Sequence, residues 1–264
     1  MDVLDHNRQA WNRQVEKGNP WTIPVDSDTI ADARQGKWEL YLTPIRPLPR
    51  EWLPSVKGLD VLCLSSGGGQ QGPVLAAAGA RVTVLDNSPK QLERDHEVAA
   101  REGLQLAAVE GDMANLAIFA GGTFDLIVNP VSNVFAPDVQ PVWREAYRVL
   151  RRSGVLIAAF DNPIVHMVDE EEWERSRKIV VKHALPYSDA VTLSDAEKRR
   201  FLEEGIPMEF GHTLEAQIGG QCKAGFVITG MYEDGDRPED RPAADGVQPG
   251  VYRDASGEEL ATIK

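Results

Sequence analysis

Short apolar runs alternate with segments of helical periodicity from about residue 59 onward, whereas the first 50 residues are more polar and are interrupted by prolines. Apolar runs bounded by Gly, Asp or Pro are typical of buried strands, and their alternation with helical segments indicates βα units that build a parallel sheet. The five predicted strands are 59–64, 81–86, 104–110, 124–128 and 154–160.

The segments between these strands carry helix signals. Residues 4–17 are predicted to form a helix that ends at Gly18, and a second helix is predicted from Ser27. In the stretch 88–103, Ser88 can cap a helix and Gln91 can reach back to it in a capping box. The segment 139–150 has one apolar helical face, which should pack against the sheet; that face consists of Val139, Val142, Trp143, Ala146, Val149 and Leu150.

Changes in composition divide the chain into three parts. Residues 1–50 are predicted to be an N-terminal helical cap or lid, and residues 51–232 the main α/β domain. Within that domain a charged helical insertion is predicted at 163–205, on the side where a substrate would bind. Residues 233–264 form an acidic, proline-rich C-terminal tail.

The charge of the chain restricts its partners. With 264 residues and a formal net charge of −13, the protein should repel phosphate backbones and anionic lipid surfaces, so neither a nucleic acid nor a membrane is an expected partner. The polar N-terminus and the lack of a long apolar run predict a cytoplasmic protein. Two cysteines, Cys63 and Cys222, give no metal-ligand spacing. The sequence gives no indication of the oligomeric state.

A glycine-rich loop follows the first predicted strand in the stretch LCLSSGGGQQG. Gly67, Gly69 and Gly72 satisfy the spacing G-x-G-x-x-G, which lets backbone N–H groups approach an anion closely. Asp86 ends the second strand 19 positions after Gly67, where a carboxylate can accept hydrogen bonds from ribose hydroxyls. These features suit a dinucleotide, and they equally suit a nucleoside that carries an amino-acid tail.

Other features discriminate between ligand classes. The loop lacks the G-K-[ST] ending of a phosphate-binding P-loop, and the Tyr-x-x-x-Lys pair of many short-chain dehydrogenases has no counterpart beyond Tyr147 with Arg151. After the third strand, Asp112 can accept from an adenine amino group, and Met113 can cover the ring.

The chain from about residue 57 to 161 resembles the core of class I S-adenosylmethionine-dependent methyltransferases. The elements that carry the resemblance are VLCLSSGGGQQG, VTVLD, EGDMANL, FDLIVNP and EAYRVLRRSGVLIAAF, in that order. The strand-helix-strand pattern after Pro207 is similar to the sixth and seventh strands of that family. The resemblance implies an α/β fold with a doubly wound, mainly parallel, seven-stranded, Rossmann-like sheet, with S-adenosyl-L-methionine as cofactor.

The resemblance also implies the residues that would hold this cofactor. They are Ser66, Gly67, Gly68, Gly69, Asp86, Asn87, Ser88, Asp112, Met113 and Asn129. Independently of the resemblance, Trp11, Trp21 and Trp38 of the N-terminal segment can close over the cofactor as a lid, and Trp21 is the one expected to touch it because its segment is extended. Two positions depart from the family pattern, because Cys63 replaces the acidic residue near the end of the first strand and Ser65 replaces the first glycine of the loop.

Catalytic machinery is less visible in the sequence. Asn129-Pro130 only partly matches the N-P-P-[YF] motif of amino-group methyltransferases. Asp161-Asn162 resembles part of the metal site of catechol methyltransferases, but Asn129 stands where a further Asp ligand is needed, so no metal is expected. His212 is the candidate base.

The resemblance predicts transfer of a methyl group from a sulfonium to an O, N or C atom of an unidentified small molecule. Two alternatives remain open at this stage. One is a catalytically silent cofactor-binding protein of the same fold, and the other is an NAD-dependent oxidoreductase built on G-x-G-x-x-G.

Overall fold

The computed structural model describes residues 2–43, 46–234, 251–253 and 259–262. At its centre lies a sheet of five parallel strands, in the spatial order β3-β2-β1-β4-β5. The strands are β1 (Asp60–Leu64), β2 (Arg81–Asp86), β3 (Leu106–Glu110), β4 (Phe124–Asn129) and β5 (Leu150–Ala158). All five predicted strands are therefore confirmed, and the order reverses between β1 and β4, which is where α/β sheets open a crevice for ligands.

Helices cover both faces of this sheet, and two further helices lie in the N-terminal segment. They are α1 (Val3–Lys17), α2 (Ser27–Arg34), α3 (Gln71–Ala77), α4 (Pro89–Glu102), α5 (Gln140–Val149), α6 (Glu170–Ser176), α7 (Asp189–Thr192), α8 (Asp195–Glu204) and α9 (Gly220–Ala224). A π-helical turn, Glu215–Gly219, leads directly into α9. The predicted doubly wound α/β architecture is confirmed.

Alternate residues of β1 explain why helices are needed on both faces. Val61 and Cys63 lie in one buried cluster, which also includes Leu75 of α3 and Leu92 of α4. Leu62 and Leu64 lie in a second cluster on the other face, with Val142, Trp143 and Ala146 of α5. A strand that is apolar on both faces has no solvent-facing side, so it becomes stable only when both faces are covered.

The predicted ends of two helices are confirmed in detail. The Ser88 Oγ accepts a hydrogen bond from the Gln91 N–H at 3.2 Å, which caps α4, and Gly103 ends this helix with a φ of 64°. Gly18 ends α1 in the same left-handed conformation, with a φ of 70°. Glycine adopts this conformation without the cost that a side chain would add.

The sixth and seventh strands are not confirmed. The segment after α8 contains no assigned strand between residues 206 and 213, although Gly211 and Tyr187 exchange two backbone hydrogen bonds of 3.0 Å. The Phe210 N–H donates to the Val134 carbonyl instead of to a strand of the sheet. The helical part of the predicted strand-helix-strand unit is present as the π-turn and α9.

The domain boundaries remain predictions. The insertion 163–205 contains α6, α7 and α8. In the acidic tail, the strands Val251–Arg253 (β6) and Glu259–Thr262 (β7) pair in antiparallel fashion, and residues 235–250, 254–258 and 263–264 lie outside the described residues. None of the helices in the described part of the chain combines the length and apolar character that crossing a membrane requires.

Candidate active site

A cavity of about 690 Å³ opens above the carboxyl ends of the strands, at the point where the strand order reverses. The sheet supplies its floor and the N-terminal segment supplies its cover. Seven of the predicted cofactor residues line this cavity, namely Trp21, Ser66, Gly67, Asp86, Asn87, Asp112 and Met113. Other residues in its lining include Trp11, Tyr41, Gln70, Gln71, Gln91, Phe135, Asp161 and Glu209.

Asp86, at the end of β2, is a buried carboxyl in the cavity wall. One carboxylate oxygen accepts from the Gly67 N–H at 2.9 Å, and the other accepts from the Ser88 N–H at 2.9 Å. Burial raises the pKa of this carboxyl, whereas the backbone donors act to lower it. A carboxylate offers about four acceptor positions, so these two bonds orient Asp86 and leave room for donors on a ligand.

Gly67 lies directly against Asp86. A Cβ at position 67 would lie 2.6 Å from the Cβ of Gln91, a distance that real Cβ atoms essentially never show, and 3.1 Å from the carboxylate carbon of Asp86, which is tighter than an ordinary contact. The absence of a side chain therefore lets the loop approach β2 closely enough for the Gly67 N–H to reach Asp86. The sequence spacing predicted this juxtaposition of loop and acidic residue.

Asp95 also holds the glycine loop in place, and the sequence reasoning missed this residue. It is fully buried, and one of its carboxylate oxygens accepts from the Gly68 N–H at 3.1 Å. Burial raises the pKa of Asp95 to about 8, helped by the charge of Asp86. A signal was present in the sequence, because Leu92, Asp95 and Val98 are spaced three apart on α4 and share its buried face.

Asp112 and Met113 lie in the cavity wall after β3. The Asp112 side chain accepts from the Ala114 N–H at 2.8 Å, which fixes its orientation at the start of a turn. Met113 is 9% exposed and presents an apolar surface beside it. The structure thus brings a carboxylate and an apolar side chain together at the same end of the cavity as Asp86.

Four of the predicted cofactor residues lie outside the cavity lining, namely Gly68, Gly69, Ser88 and Asn129. The Gly69 carbonyl accepts from the Val25 N–H, and the Ser88 hydroxyl donates to Asn12 of α1 at 2.8 Å. Asn129 is fully buried, and its amide donates to the Leu64 carbonyl at 2.8 Å. These contacts hold the loop, the cap and β4 in place, and the prediction that these residues touch the cofactor remains a prediction.

The N-terminal segment is attached to the glycine loop by the two glutamines that follow it. The Gln70 amide donates to the Ile23 carbonyl at 3.0 Å, and the Gln71 amide donates to the Tyr41 carbonyl at 2.8 Å. Trp21 lines the cavity beside these contacts and is 52% exposed, while Trp11 packs edge-on against Phe135 at a centroid distance of 5.3 Å. The structure therefore places residues of the predicted cap over the cavity.

Replacing Gln71 by alanine should loosen this attachment. The substitution removes the hydrogen bond to the Tyr41 carbonyl and the one that the Gln71 Oε1 accepts from the Ser66 hydroxyl at 3.0 Å. At about 0.5–1.5 kcal/mol for each bond, it should lower the free energy of unfolding, and loss of the bond to Tyr41 should speed proteolytic cleavage near that residue. Urea denaturation and limited trypsin digestion measure the two effects. Gln9→Ala is the matched control, since Gln9 bonds only to Asp5 within α1 among the contacts described, and equal effects of the two substitutions would contradict the attachment.

His212, the candidate base, is not among the residues that line the cavity. Its Nε2 lies 2.9 Å from the Ala136 carbonyl, and burial lowers its pKa. It also lies outside any strand, because the predicted sixth strand is not assigned at this position. Its catalytic role stays a prediction.

Two acidic residues, Asp161 and Glu209, line the cavity on the side of β4 and β5. Burial raises the pKa of Asp161, and the nearby His166 acts in the opposite direction. From the sequence, Asp161 was singled out only for its resemblance to part of a metal site. In the described part of the chain, no group of three or more His, Cys, Asp or Glu residues is arranged to hold a metal ion.

Comparisons with known proteins agree with this geometry. Residues 62–158 match the family described as a methyltransferase domain. The chain is 52% identical over 232 residues to the uncharacterized methyltransferase YbaJ of Bacillus subtilis, covering 88% of this chain and 91% of the relative. It is 35% identical over 102 residues to the sterol 24-C-methyltransferase erg6 of Aspergillus fumigatus, covering 38% of this chain and 27% of that enzyme.

A solved structure supports the fold. The crystal structure of an S-adenosylmethionine-dependent methyltransferase from Mesorhizobium loti aligns with a TM-score of 0.52 at 20% identity. The alignment covers 69% of this chain and 80% of that one. At this identity the likeness speaks for the fold and not for the acceptor.

Proposed function

Because this chain belongs to the class I S-adenosylmethionine-dependent methyltransferases, with S-adenosylmethionine as their cofactor, we propose that it methylates a small molecule at an O, N or C atom within the cavity above the sheet. The observation that carries this proposal is the position of Asp86. Its buried carboxylate is held by two backbone N–H groups in the wall of that cavity.

The residues present fit the cofactor at its nucleoside end. Asp86 has acceptor positions left for ribose hydroxyls, and Gly67 provides a surface on which a side chain would not fit. Asp112 and Met113 supply an acceptor and an apolar cover at the adjacent strand end. The cofactor would therefore lie across β1, β2 and β3, with its nucleoside on the β2 and β3 side.

When bound, the cofactor supplies an electrophilic methyl group on a sulfonium. The task of the chain is then to orient the acceptor atom in line with that methyl group and to exclude water. Trp11 and Trp21 of the N-terminal segment and Phe135 after β4 give the cavity aromatic walls that serve both purposes. A dedicated base is needed only for an acceptor that is protonated at the working pH.

The acceptor would bind on the β4 and β5 side. Asp161 follows β5, which lies three strands from β2 in the sheet order, or about 14 Å at the usual strand spacing of about 4.8 Å. Glu209, Val131 and Ser132 line the same side of the cavity. This separation leaves the space beyond the cofactor for a small molecule.

Thermal-shift measurements test the proposed function. S-adenosylmethionine and its demethylated form, S-adenosylhomocysteine, should each stabilise the protein by about 1.4 kcal/mol at ten times Kd, which is a rise in Tm of about 3–6 °C. NAD at the same concentration should leave Tm unchanged. A rise with NAD and none with the two sulfur nucleosides would overturn the proposal. Tight binding without product from a broad acceptor screen would identify a catalytically silent protein.

A further inference from the structure

The charged residues in the cavity wall are all acidic. Among the described residues, no lysine, arginine or histidine lines the cavity, whereas five acidic residues do, namely Asp2, Asp86, Asp112, Asp161 and Glu209. Asp86 and Asp112 lie at the proposed nucleoside end, and the Asp2 side chain caps α1. Asp161 and Glu209 are therefore the acidic residues that face a molecule on the β4 and β5 side.

The carboxylate of Asp161 is presented to the cavity without a partner from the chain. It forms no hydrogen bond with any described residue, and the charged group that acts on it is His166. Its oxygens are not among the unpaired polar atoms that the fold seals off completely. Because Asp161 also lines the cavity, a donor on a bound molecule has access to an acceptor that the protein itself leaves unused.

His166 is the neighbour that could neutralise Asp161, and its packing opposes this. Its Nδ1 lies 4.0 Å from a carboxylate oxygen of Glu209. The ring stacks on Tyr187 at a centroid distance of 5.6 Å, and a Cβ at Gly211 would lie 2.8 Å from it, so the ring is enclosed. Burial lowers the pKa of His166, and the ring therefore carries little positive charge near neutral pH.

Aromatic side chains lie in the same wall as these carboxylates. The Phe210 N–H donates to the Val134 carbonyl at 2.8 Å, which places Glu209 beside the segment that carries Phe135. Trp11 packs edge-on against Phe135, and both line the cavity. Aromatic faces attract cations, and carboxylates form charge-assisted hydrogen bonds with them. This wall therefore suits a positively charged organic group.

We propose that the methyl acceptor is a small organic cation and that the carboxylate of Asp161 binds its protonated amine. The inference rests on the proposed function, because it takes a methyl acceptor to bind in this cavity. An anionic acceptor would meet acidic side chains on every side and no basic residue of the described lining, which disfavours carboxylates and phosphate esters. The described residues provide no group of three ligands for a metal ion, so an organic cation is the better match.

The charge of the cofactor does not remove this preference. S-adenosylmethionine carries a sulfonium, an ammonium and a carboxylate, which give one net positive charge against the five acidic residues of the lining. The remaining negative potential favours the entry of a cation into the cavity. The ammonium group of the acceptor serves recognition in this inference, and Asp161 is thereby a specificity-determining residue.

A set of probes that share a phenylethyl group tests the charge preference. The probes are 2-phenylethylammonium, 2-phenylethanol and 3-phenylpropanoate, and ligand-observed NMR titration measures their affinities for the full chain saturated with S-adenosylhomocysteine. We expect the ammonium to bind about tenfold tighter than the alcohol, and the carboxylate to bind weakest. Asp161→Asn keeps the size of the side chain and removes its charge. It should weaken the ammonium about tenfold and change the affinity of the alcohol by less than about twofold.

Asp195→Asn is the matched control for this substitution. Asp195 is exposed in the first turn of α8, within the same insertion, and it does not line the cavity. Removing its charge should leave all of the affinities within about twofold, because exposed charges are screened by solvent. Equal effects of the two substitutions would overturn the inference, and so would a carboxylate probe that binds as tightly as the ammonium.

A second measurement on the unmodified protein decides the inference if no probe binds or if Asp161→Asn does not fold. A small-molecule extract of cells that produce this chain is separated by ion exchange at neutral pH into cationic, neutral and anionic fractions. Each fraction is incubated with the protein and methyl-labelled S-adenosylmethionine. Label should enter products of the cationic fraction, and label that enters only neutral or anionic molecules would overturn the inference.

Failure of the inference can be told apart from failure of the proposed function. If S-adenosylhomocysteine does not bind to the unmodified protein, or if it binds and no fraction yields a labelled product, then the proposed function fails and the inference fails with it. If S-adenosylhomocysteine binds and label enters only neutral or anionic molecules, then only the inference fails.

Discussion

Replacement of Asp86 by alanine is expected to weaken the binding of S-adenosylhomocysteine by about 1.5–3 kcal/mol, or about 10- to 150-fold. This is the range for hydrogen bonds to a charged acceptor, and the carboxylate is oriented in the cavity wall by Gly67 and Ser88 before any ligand arrives. Isothermal titration calorimetry measures the change directly. An affinity within twofold of the unmodified protein would exclude Asp86 from the site.

Glu110 provides the matched control for this experiment. It is the register partner of Asp86 on the neighbouring strand β3, and its side chain is half-exposed. It does not line the cavity. Glu110→Ala removes the same charge from the same edge of the sheet and should change the affinity by less than about twofold, because exposed charges are screened by solvent. Equal losses of affinity in the two variants would mean that Asp86 acts through the overall electrostatic field of the protein and not through contact with the ligand.

The second large effect concerns Asp95 and the pH dependence of stability. Because burial raises the pKa of Asp95 to about 8, the folded protein holds a proton there that the unfolded chain, with an ordinary pKa near 3.9, releases. Between about pH 4 and pH 8 the folded state therefore binds more protons than the unfolded state. The contribution of Asp95 to the free energy of unfolding is therefore present at low pH and is lost as the pH rises. The free energy of unfolding falls by up to about 1.4 kcal/mol per pH unit in this range.

Asp95→Asn isolates this contribution. An amide mimics the protonated carboxyl, can still accept from the Gly68 N–H, and cannot ionise. Urea denaturation at pH 5, 6, 7 and 8 should show Asp95→Asn gaining stability relative to the unmodified protein as the pH rises. Other titrating groups are common to both proteins, so they cancel in the difference. A difference that stays constant with pH would mean that Asp95 is ionised when buried.

Asp95→Ala distinguishes the hydrogen bond from the charge. It should be less stable than Asp95→Asn at every pH, by about 0.5–1.5 kcal/mol, because neither variant ionises at this position and the Gly68 N–H loses one of its two acceptors, keeping the Gln91 carbonyl. If the Asp95→Ala and Asp95→Asn variants are equally stable, then the hydrogen bond between Asp95 and the Gly68 N–H contributes nothing measurable to the stability of the loop.

The sequence was most informative where local patterns and tertiary structure agree. Apolar runs of β-strand composition gave all five strands, because strands covered on both faces admit few polar residues. The pairing of the glycine loop with Asp86 was also predictable, since both lie at the carboxyl ends of adjacent strands. The same reasoning placed Asp112 and Met113 at the next strand end, and both line the cavity.

The sequence was least informative where tertiary contacts override local patterns. The capping box was predicted from Ser88 and Gln91, but a carboxylate from the preceding strand takes the Ser88 N–H. The segment 206–213 has strand-like composition, yet its backbone bonds to Tyr187 and Val134 and not to the sheet. Asp95 was passed over because a charged residue in a helix is usually solvated, and only its partners in the fold bury it.

Helix α1 connects the two sides of the binding cleft. Its Asn12 accepts from the Ser88 hydroxyl on the side of α4, while its Asn7 accepts from the Met208 N–H at 2.7 Å and donates to the Met208 carbonyl at 3.0 Å on the opposite side. These two asparagines lie about 7.5 Å apart along the helix axis. One helix thus braces both walls, and we expect the spacing between the α4 side and the Met208 side to depend on hydrogen bonds to this single element.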